Sequence, residues 1–122
     1  MTDNPCYLIL APMQGLADAP MRDLLTRIGG FDECVSEFVR ITHTVHSRAT
    51  WLKHAPEMAH GNRTPSGVPC TVQLLGSDAE NMAANALEAV RFGAEKIDLN
   101  FGCPAPTVNK HQGGAVLLKE PE

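Results

Sequence analysis

A cysteine held between a glycine and a proline is the residue of this sequence that points most clearly to chemistry. Cys103 stands in "NFGCPAP", three residues after Asn100, where an apolar alternation ends. Gly102 lets the backbone approach a flat ring closely, and Pro104 stiffens the loop that carries the thiol. A loop position gives little reason to bury a cysteine as a small apolar side chain. We therefore predict a functional thiol.

The surroundings of Cys103 favour a proton donor over a nucleophile. A thiol with the ordinary cysteine pKa of about 8.5 is mostly protonated at neutral pH and can act as a general acid without an adjacent base. A nucleophilic cysteine uses a histidine or a helix N-terminus to lower its pKa, and the nearest histidine in the sequence is His111. The general-acid role is the favoured interpretation.

Further polar or special residues stand where apolar segments of the chain end. The carboxyl ends of parallel strands converge on one face of a βα barrel, where loops form the catalytic site. Four segments that carry such residues to one rim are better evidence for a site than any single motif. These residues are Pro12, Met13, Glu37, Gln73 and Asn100.

Short apolar segments and helical patterns alternate along the chain. The segments "CYLILAP", "CVSEF", "CTVQLLG" and "KIDLNF" are predicted as strands. The first helix is predicted to begin at the N-cap Asp18 and to end at Gly29, with an apolar stripe that includes Leu24 and Ile28. A weakly patterned helix is predicted within residues 46–54, followed by a loop at "GNRTPSGVP".

The third helix has the clearest pattern, in "SDAENMAANALEAVRFG". Ser77 and Glu80 have the spacing of a capping box, and Gly93 ends the helix. Its apolar stripe, which includes Met82 and Leu87, is predicted to be core because helical spacing is typical of core helices.

This order of elements predicts an α/β fold with βα units on a parallel sheet. The units repeat about every thirty residues, and no G-x-G-x-x-G follows the first strand, where a Rossmann fold would carry it. An eight-unit TIM (β/α)8 barrel needs about 250 residues. We therefore expect residues 1–122 to be about the first half of such a barrel, four βα units, in a truncated chain.

Composition and charge exclude several classes of protein. The chain has 43% hydrophobic and 20% charged residues, and its net charge of −4 gives no electrostatic footprint for nucleic acid. Four cysteines without a C-x-x-C pair indicate neither a zinc site nor a disulfide framework, and fit a reducing cytosol. Cys6, Cys34 and Cys70 are expected to be buried apolar side chains. No metal site is expected, the five histidines are interpreted as solvated, and no apolar run is long enough to span a membrane.

Four motifs resemble those of the tRNA-dihydrouridine synthases, flavin enzymes that reduce uridine in tRNA. They are "LAPMQGLAD", "SEFVR", "VQLLG" and "DLNFGCPAPTVNKHQGGAVLL", and the chain is most similar to the C-type bacterial subgroup. The resemblance implies an FMN-binding TIM barrel followed by a helical tRNA-binding domain, of which residues 1–122 cover only the first half of the barrel. It further implies a cytoplasmic enzyme that takes its reducing equivalents from NADPH or NADH.

The resemblance also implies roles for particular residues. The Gln73 amide is expected to hydrogen-bond the pyrimidine edge of FMN, Asn100 to meet both flavin and uracil, and Cys103 to give a proton to C5 of a D-loop uridine after hydride reaches C6. Substrate contacts are expected from Asn100, Arg40 and Glu37. The backbone expected along the isoalloxazine ring is that of Ala11, Pro12 and Met13.

Two other functions remain open at this stage. One is a different FMN-dependent TIM-barrel oxidoreductase that acts on a small pyrimidine or enone, which would share the ring-binding residues but need not carry N-x-G-C-P. The other is a non-catalytic half-barrel that pairs with a partner or with itself. The N-x-G-C-P motif favours the tRNA-uridine reductase over both.

Overall fold

The computed structural model describes residues 6–105, 110 and 113–119, and His111 lies outside these ranges. Strands and helices alternate in the part that it describes. The strands are Ile9–Leu10 (β1), Glu33–Val35 (β2), Val39–Arg40 (β3), Cys70–Leu75 (β4) and Ile97–Leu99 (β5). The helices are Ala19–Ile28 (α1), Arg48–His54 (α2) and Ala79–Arg91 (α3), with short 3-10 helices at Pro56–His60 and Gly114–Lys119.

All pairings between these strands are parallel. β1 pairs with β2, β2 and β3 pair with β4, and β5 pairs with β4. The Thr71 carbonyl accepts from the Ser36 N–H, and the Leu75 carbonyl accepts from the Ile41 N–H, so β2 and β3 lie along one edge of β4. The Leu74 carbonyl accepts from the Asn100 N–H, so β5 lies along the other edge. The spatial order is the chain order, which confirms the α/β half-barrel predicted from the sequence.

β2 and β3 are one strand position interrupted by a β-bulge. Val35 is opposite Thr71 and Val39 is opposite Leu74, so four steps on one strand match three on the other. The predicted strand Cys34–Phe38 is therefore wrong in its second half, because residues 36–38 form the bulge and pairing resumes at Val39.

The two faces of the sheet have different surroundings. Side chains from alternate positions of β4, such as Val72 and Leu74, pack with Trp51 of α2 and Ala89 of α3 in the main hydrophobic core. A smaller cluster contains Leu10, Cys34 and Cys70, with Leu25 of α1 packed against it. The opposite face, called here the inner face, carries polar side chains that include Thr71 and Gln73.

Helix α1 begins and ends as its sequence predicts, but its buried side differs. The Asp18 carboxylate accepts from the Met21 N–H at 3.0 Å, and Gly29 follows the helix with φ of 106°. The predicted apolar stripe is wrong in part, since Leu25 packs against the smaller cluster but Leu24 and Ile28 are 53% and 76% exposed. The helix instead buries its Arg22 side.

A buried ion pair explains which side of α1 faces inward. The Arg22 guanidinium donates to the Glu57 carboxylate at 2.8 and 2.9 Å and to the carbonyls of Ala17 and His54. These four hydrogen bonds, two of them to the Glu57 carboxylate, offset the loss of solvent by the two charged groups. The ion pair fixes α1 against the 3-10 helix that contains Glu57.

Helix α3 also departs from its predicted cap and core. Asp78 rather than Ser77 is the N-cap, because its carboxylate accepts from the Asn81 N–H at 2.8 Å. Leu87 is 72% exposed, so its assignment to the core is wrong. The buried side contains Asn85, whose amide accepts from the His46 N–H and donates to the Thr44 carbonyl. No helix in the described ranges is long and apolar enough to cross a membrane.

Candidate functional site

A cleft of about 340 Å³ opens at the carboxyl ends of the strands. Four of the predicted site residues line it, and they come from the loop after β1, from β4 and from the segment after β5. The cleft therefore brings together residues up to 91 positions apart in the chain, from 12 to 103. These four residues are Pro12, Gln73, Asn100 and Cys103.

A chain of hydrogen bonds joins the side chains beneath this cleft. The Gln73 Nε2 donates to the Asp98 carboxylate at 2.6 Å, and the Asn100 Nδ2 donates to the Gln73 Oε1 at 3.0 Å. The three residues, called here the amide relay, lie on neighbouring strand positions, since Gln73 is directly opposite Asp98 in the β4–β5 pair. Rigid strands therefore hold both amides in place.

The amide relay continues into the loop that carries the thiol. The Asn100 Oδ1 accepts from the Gly102 N–H at 3.1 Å and from the Cys103 N–H at 2.9 Å. The Cys103 carbonyl in turn accepts from the Ala115 N–H at 3.1 Å. These bonds fix the backbone on both sides of a half-buried thiol that forms no disulfide. The loop places Cys103 at the cleft wall.

The amides of the relay retain hydrogen-bonding capacity. A glutamine side chain has two N–H donors and two acceptor lone pairs, and the relay uses one of each in Gln73. Gln73 is only 5% exposed, so its remaining donor and acceptor have little access to water. A ligand edge that alternates acceptor and donor atoms would satisfy them.

The loop after β1 turns at the edge of the cleft. The Met13 carbonyl accepts from the Leu16 and Ala17 N–H groups at 3.1 and 2.8 Å. The Glu37 carboxylate accepts from the Gly15 N–H at 2.5 Å and so ties this loop to the bulge. Pro12 lines the cleft. Its neighbours Ala11 and Met13 are exposed beside it and are absent from the lining.

A family model described as dihydrouridine synthase (Dus) matches residues 9–122. The chain belongs to the dihydrouridine synthase family. This match confirms the family expected from the N-x-G-C-P motif and agrees with the parallel half-barrel. Within the family match lie all the residues of the amide relay and the thiol loop.

Curated relatives named tRNA-dihydrouridine(16) synthase are similar over 115 residues. They include proteins of Neisseria meningitidis serogroup A / serotype 4A at 85% identity, Aquipseudomonas alcaligenes at 58% and Vibrio cholerae serotype O1 at 51%. Each alignment covers 94% of this chain but only 34 to 36% of the relative. The chain thus spans about a third of the length of these dihydrouridine synthases.

Arg40 lies apart from the amide relay. It lines a second cleft of about 410 Å³ between the segment after β3 and the start of α3, together with His43, Ser77 and Asp78. The Arg40 carbonyl is hydrogen-bonded to the His46 ring at 2.7 Å, which shows that this histidine is not simply solvated. The structure places Arg40 and Glu37 on the same rim as the relay, in different hydrogen-bond groups.

Sequence reasoning missed Asp98, Gln14 and Phe38. Gln14 and Phe38 line the first cleft, and Asp98 anchors the amide relay. The period-two pattern of "KIDLNF" could have found Asp98, because it places residues 98 and 100 on the same face of β5. No comparable signal pointed to Phe38, since its place depends on the bulge.

The other cysteines lie outside the cleft. Cys34 and Cys70 are buried as expected, directly opposite each other on β2 and β4. A hydrogen bond with Cys34, together with burial, raises the pKa of the Cys70 thiol. Cys6 is exposed, so its expected burial is wrong, because its segment precedes β1 rather than lying within it.

A second polar group lies at the amino ends of the strands on the inner face. The Glu33 carboxylate accepts from the Tyr7 hydroxyl at 3.0 Å, from the Lys96 ammonium at 3.1 Å and from the Thr71 hydroxyl. We call these four residues the Glu33 cluster. Burial raises the pKa of the Glu33 carboxyl, but the hydrogen bonds from Thr71, Lys96 and Tyr7 outweigh burial and lower this pKa below its usual value. Among the described residues no group of His, Cys, Asp and Glu could hold a metal ion.

Proposed function

We propose that residues 1–122 are the first half of the catalytic barrel of an enzyme that reduces a uridine in tRNA to 5,6-dihydrouridine. The observation that carries this proposal is Asn100, which joins the Gln73 amide to the backbone of Cys103 at the wall of one cleft. The relatives' names give uridine 16 as the target in those proteins, and we propose the same nucleotide here. The other half of the barrel and a helical tRNA-binding domain would belong to the rest of a longer protein.

The residues of the first cleft fit FMN. Gln73 offers one buried donor and one acceptor beside each other, which matches the alternating acceptors and donors of a flavin pyrimidine edge. Pro12 lines the cleft on the β1 side, and in this proposal the backbone of its neighbours Ala11 and Met13 would lie along the isoalloxazine ring. When bound, FMN reduced by NADPH or NADH would supply the hydride for C6 of the uracil.

Cys103 is the proton donor in this proposal. Hydride addition at C6 leaves an enolate whose C5 must gain a proton, and the thiol of Cys103 supplies that proton and becomes a thiolate. Solvent then reprotonates the thiolate before the next turnover. Asn100 holds the thiol loop and keeps one N–H free for a uracil oxygen.

Substrate contacts beyond the uracil are proposed for Arg40 and Glu37. The guanidinium of Arg40 at the second cleft can meet a phosphate of the tRNA backbone, which would anchor the strand beside the extruded base. Glu37 binds Gly15 and so shapes the loop that faces the base. The net charge of −4 of this chain leaves most of the tRNA affinity to basic surface elsewhere in the protein.

The experiment that tests the function separates two half-reactions of the complete protein. Flavin reduction by the nicotinamide does not involve Cys103, whereas uracil reduction needs its proton. Cys103→Ala should therefore leave FMN binding and flavin reduction nearly intact and slow dihydrouridine formation by about 10² to 10⁴, or roughly 3 to 5 kcal/mol of barrier. The measurement is anaerobic reduction with NADPH followed by mixing with unmodified tRNA, with flavin absorbance and dihydrouridine as readouts.

The matched controls are the other cysteines. Cys6→Ser changes an exposed thiol and should behave as wild type, while serine at Cys34 or Cys70 should act through folding and lower both half-reactions together. A Cys103→Ala protein that reoxidises on tRNA at the wild-type rate and yields dihydrouridine would show that the thiol is not the acid. A wild-type protein that binds no FMN, or that reduces a small enone but not tRNA, would overturn the proposed function itself.

A further inference from the structure

We infer that Asp98 is a positioning residue that sets the orientation of both relay amides and, through them, of the loop that carries Cys103. Asp98 does not itself line the cleft, and its carboxylate accepts a hydrogen bond from Gln73, which does. Its effect on catalysis rests on the proposed function. Its effect on the thiol loop stands on the geometry alone.

The chemistry of each group allows one direction of hydrogen bonding along the amide relay. An ionised carboxylate only accepts, so the Gln73 atom that lies 2.6 Å from Asp98 must be the Nε2 donor. The Gln73 Oε1 therefore points towards Asn100, and Asn100 must donate to it through its Nδ2. The Asn100 Oδ1 is thus left for the loop.

The hydrogen bonds at the Asn100 end of the relay require the same arrangement of donors and acceptors. The Gly102 and Cys103 N–H groups only donate, so the Asn100 atom that they meet must be an oxygen. An acceptor-only group at one end and two donor-only groups at the other allow the two amides between them a single arrangement. Asp98 supplies the acceptor end.

The place of Asp98 in the sheet suits this role. Asp98 and Gln73 are direct partners in the β4–β5 register, so their side chains leave the same face of adjacent strands. Gln73 is 5% exposed, so without the Asp98 acceptor its Nε2 would be left unpaired in a place that water hardly reaches. Its amide would then turn towards the cleft and release Asn100.

The test uses two variants of similar size in the complete protein. Asp98→Asn keeps an oxygen that can accept from Gln73, whereas Asp98→Leu keeps the volume but has no acceptor. In FMN-free protein, iodoacetamide labelling of Cys103, followed by peptide mass spectrometry, reports the thiol loop. We expect the leucine variant to label about fivefold faster and to bind FMN about tenfold more weakly, and the asparagine variant to stay within about threefold of wild type on both measures.

The matched control is Asp18→Asn. It removes one carboxylate from the exposed start of α1, where asparagine is an equally good N-cap, so it should change neither measurement. A change in this control as large as that in Asp98→Leu would assign the effect to net charge and would overturn the inference.

A double-mutant comparison tests whether Asp98 acts through Gln73. If it does, adding Asp98→Leu to Gln73→Leu should change Cys103 labelling no further than Gln73→Leu alone. Effects that add in full would overturn the inference, as would a folded Asp98→Leu variant that labels at the wild-type rate.

A swap of donor and acceptor keeps the test decisive if the leucine variants fail to fold. Gln73→Glu alone places two carboxylates in contact and should disturb the loop, whereas Gln73→Glu with Asp98→Asn restores one donor facing one acceptor. The pair should return Cys103 labelling to within about twofold of wild type without restoring FMN affinity, since the free donor of Gln73 is lost. Labelling that stays disturbed in the pair would count against Asp98. Failure of wild type to bind FMN would remove the proposed function but not this result.

Discussion

The amide relay and the Glu33 cluster lie on the same inner face of one sheet, yet they use their hydrogen bonds differently. In the Glu33 cluster three donors converge on one carboxylate, and the Lys96 ammonium balances its charge. In the relay each amide passes one hydrogen bond onward. Gln73 keeps a donor and an acceptor lone pair in reserve, and Asn100 keeps a donor. The first arrangement is closed, and the second is open to a ligand.

Burial does not distinguish the two groups. Glu33 and Thr71 are 7% and 6% exposed, and Gln73 is 5% exposed. What differs is the number of donors and acceptors left over once the protein's own partners are counted. Substitutions should therefore distinguish the two groups. Changes in the Glu33 cluster should lower the stability of the fold, and changes in the relay should weaken ligand binding.

The largest effect in this comparison is expected at Glu33. Glu33→Leu leaves the buried Thr71 hydroxyl without its acceptor and the Lys96 ammonium without its partner, so the free energy of unfolding should fall by about 3 kcal/mol. Urea denaturation of the FMN-free protein measures it. FMN affinity of the folded fraction should stay within about twofold of wild type. A stable Glu33→Leu protein that loses FMN would place the Glu33 cluster in the site.

A smaller effect, on the ligand, is expected at Gln73. Gln73→Leu removes the spare donor and acceptor that the FMN edge would meet, so binding should weaken by about 1 to 3 kcal/mol in a fluorescence titration. The free energy of unfolding should fall by less than in Glu33→Leu, because Asp98 and Asn100, which lose this partner, are only half-buried and can be solvated. Unchanged FMN affinity would make Gln73 a structural residue like Thr71.

The smallest effect is a dependence on pH. Hydrogen bonds from Thr71, Lys96 and Tyr7 hold the pKa of Glu33 below its ordinary value of 4.5 despite burial, so the unfolded chain binds this proton more readily than the folded one. Stability from Glu33 is therefore complete above pH 4.5 and is lost as the pH falls through the lower folded pKa.

Denaturation midpoints at pH 5 and pH 3.5 measure that loss. Wild type and Gln73→Leu should both lose stability on acidification, and Glu33→Gln should lose less. Asp23, whose pKa is lowered by the hydrogen bond from Arg27, contributes equally to all three proteins. Equal acid sensitivity in wild type and Glu33→Gln would contradict the assignment.

Local sequence was enough to predict the elements and the thiol loop. Asp18 and Gly29 bound α1 by cap chemistry, and Asn100 binds the backbone of the loop that follows it, at Gly102 and Cys103. The order of strands follows from the repeat of βα units. In each case a few neighbouring residues contain the whole signal.

Contacts that depend on strand register could not be predicted in this way. Asp98 meets Gln73, and Glu33 meets Lys96 across 63 positions, only because the strands pair as they do. The predictions of which helix faces are buried were partly wrong for a related reason. The apolar residues of α3 surround more of the helix than the described sheet covers, and the bonds of Asn85 to the 44–46 segment select the buried side.

Because of the bulge at residues 36–38, the face of the sheet that the following side chains occupy depends on the number of steps that this segment matches on β4 rather than on its residue types. Before the bulge Cys34 faces the helices, and after it Val39 does so, at 1% exposed, although an unbroken alternation would turn that residue to the inner face. Deleting one residue here would leave three steps against three, so a regular strand would still place Val39 opposite Leu74 and in the core, but without the bulge that carries Glu37 to Gly15. The extra residue therefore serves the contact between Glu37 and the loop after β1 rather than the burial of Val39, and a single deletion should disturb that loop more than it destabilises the strand.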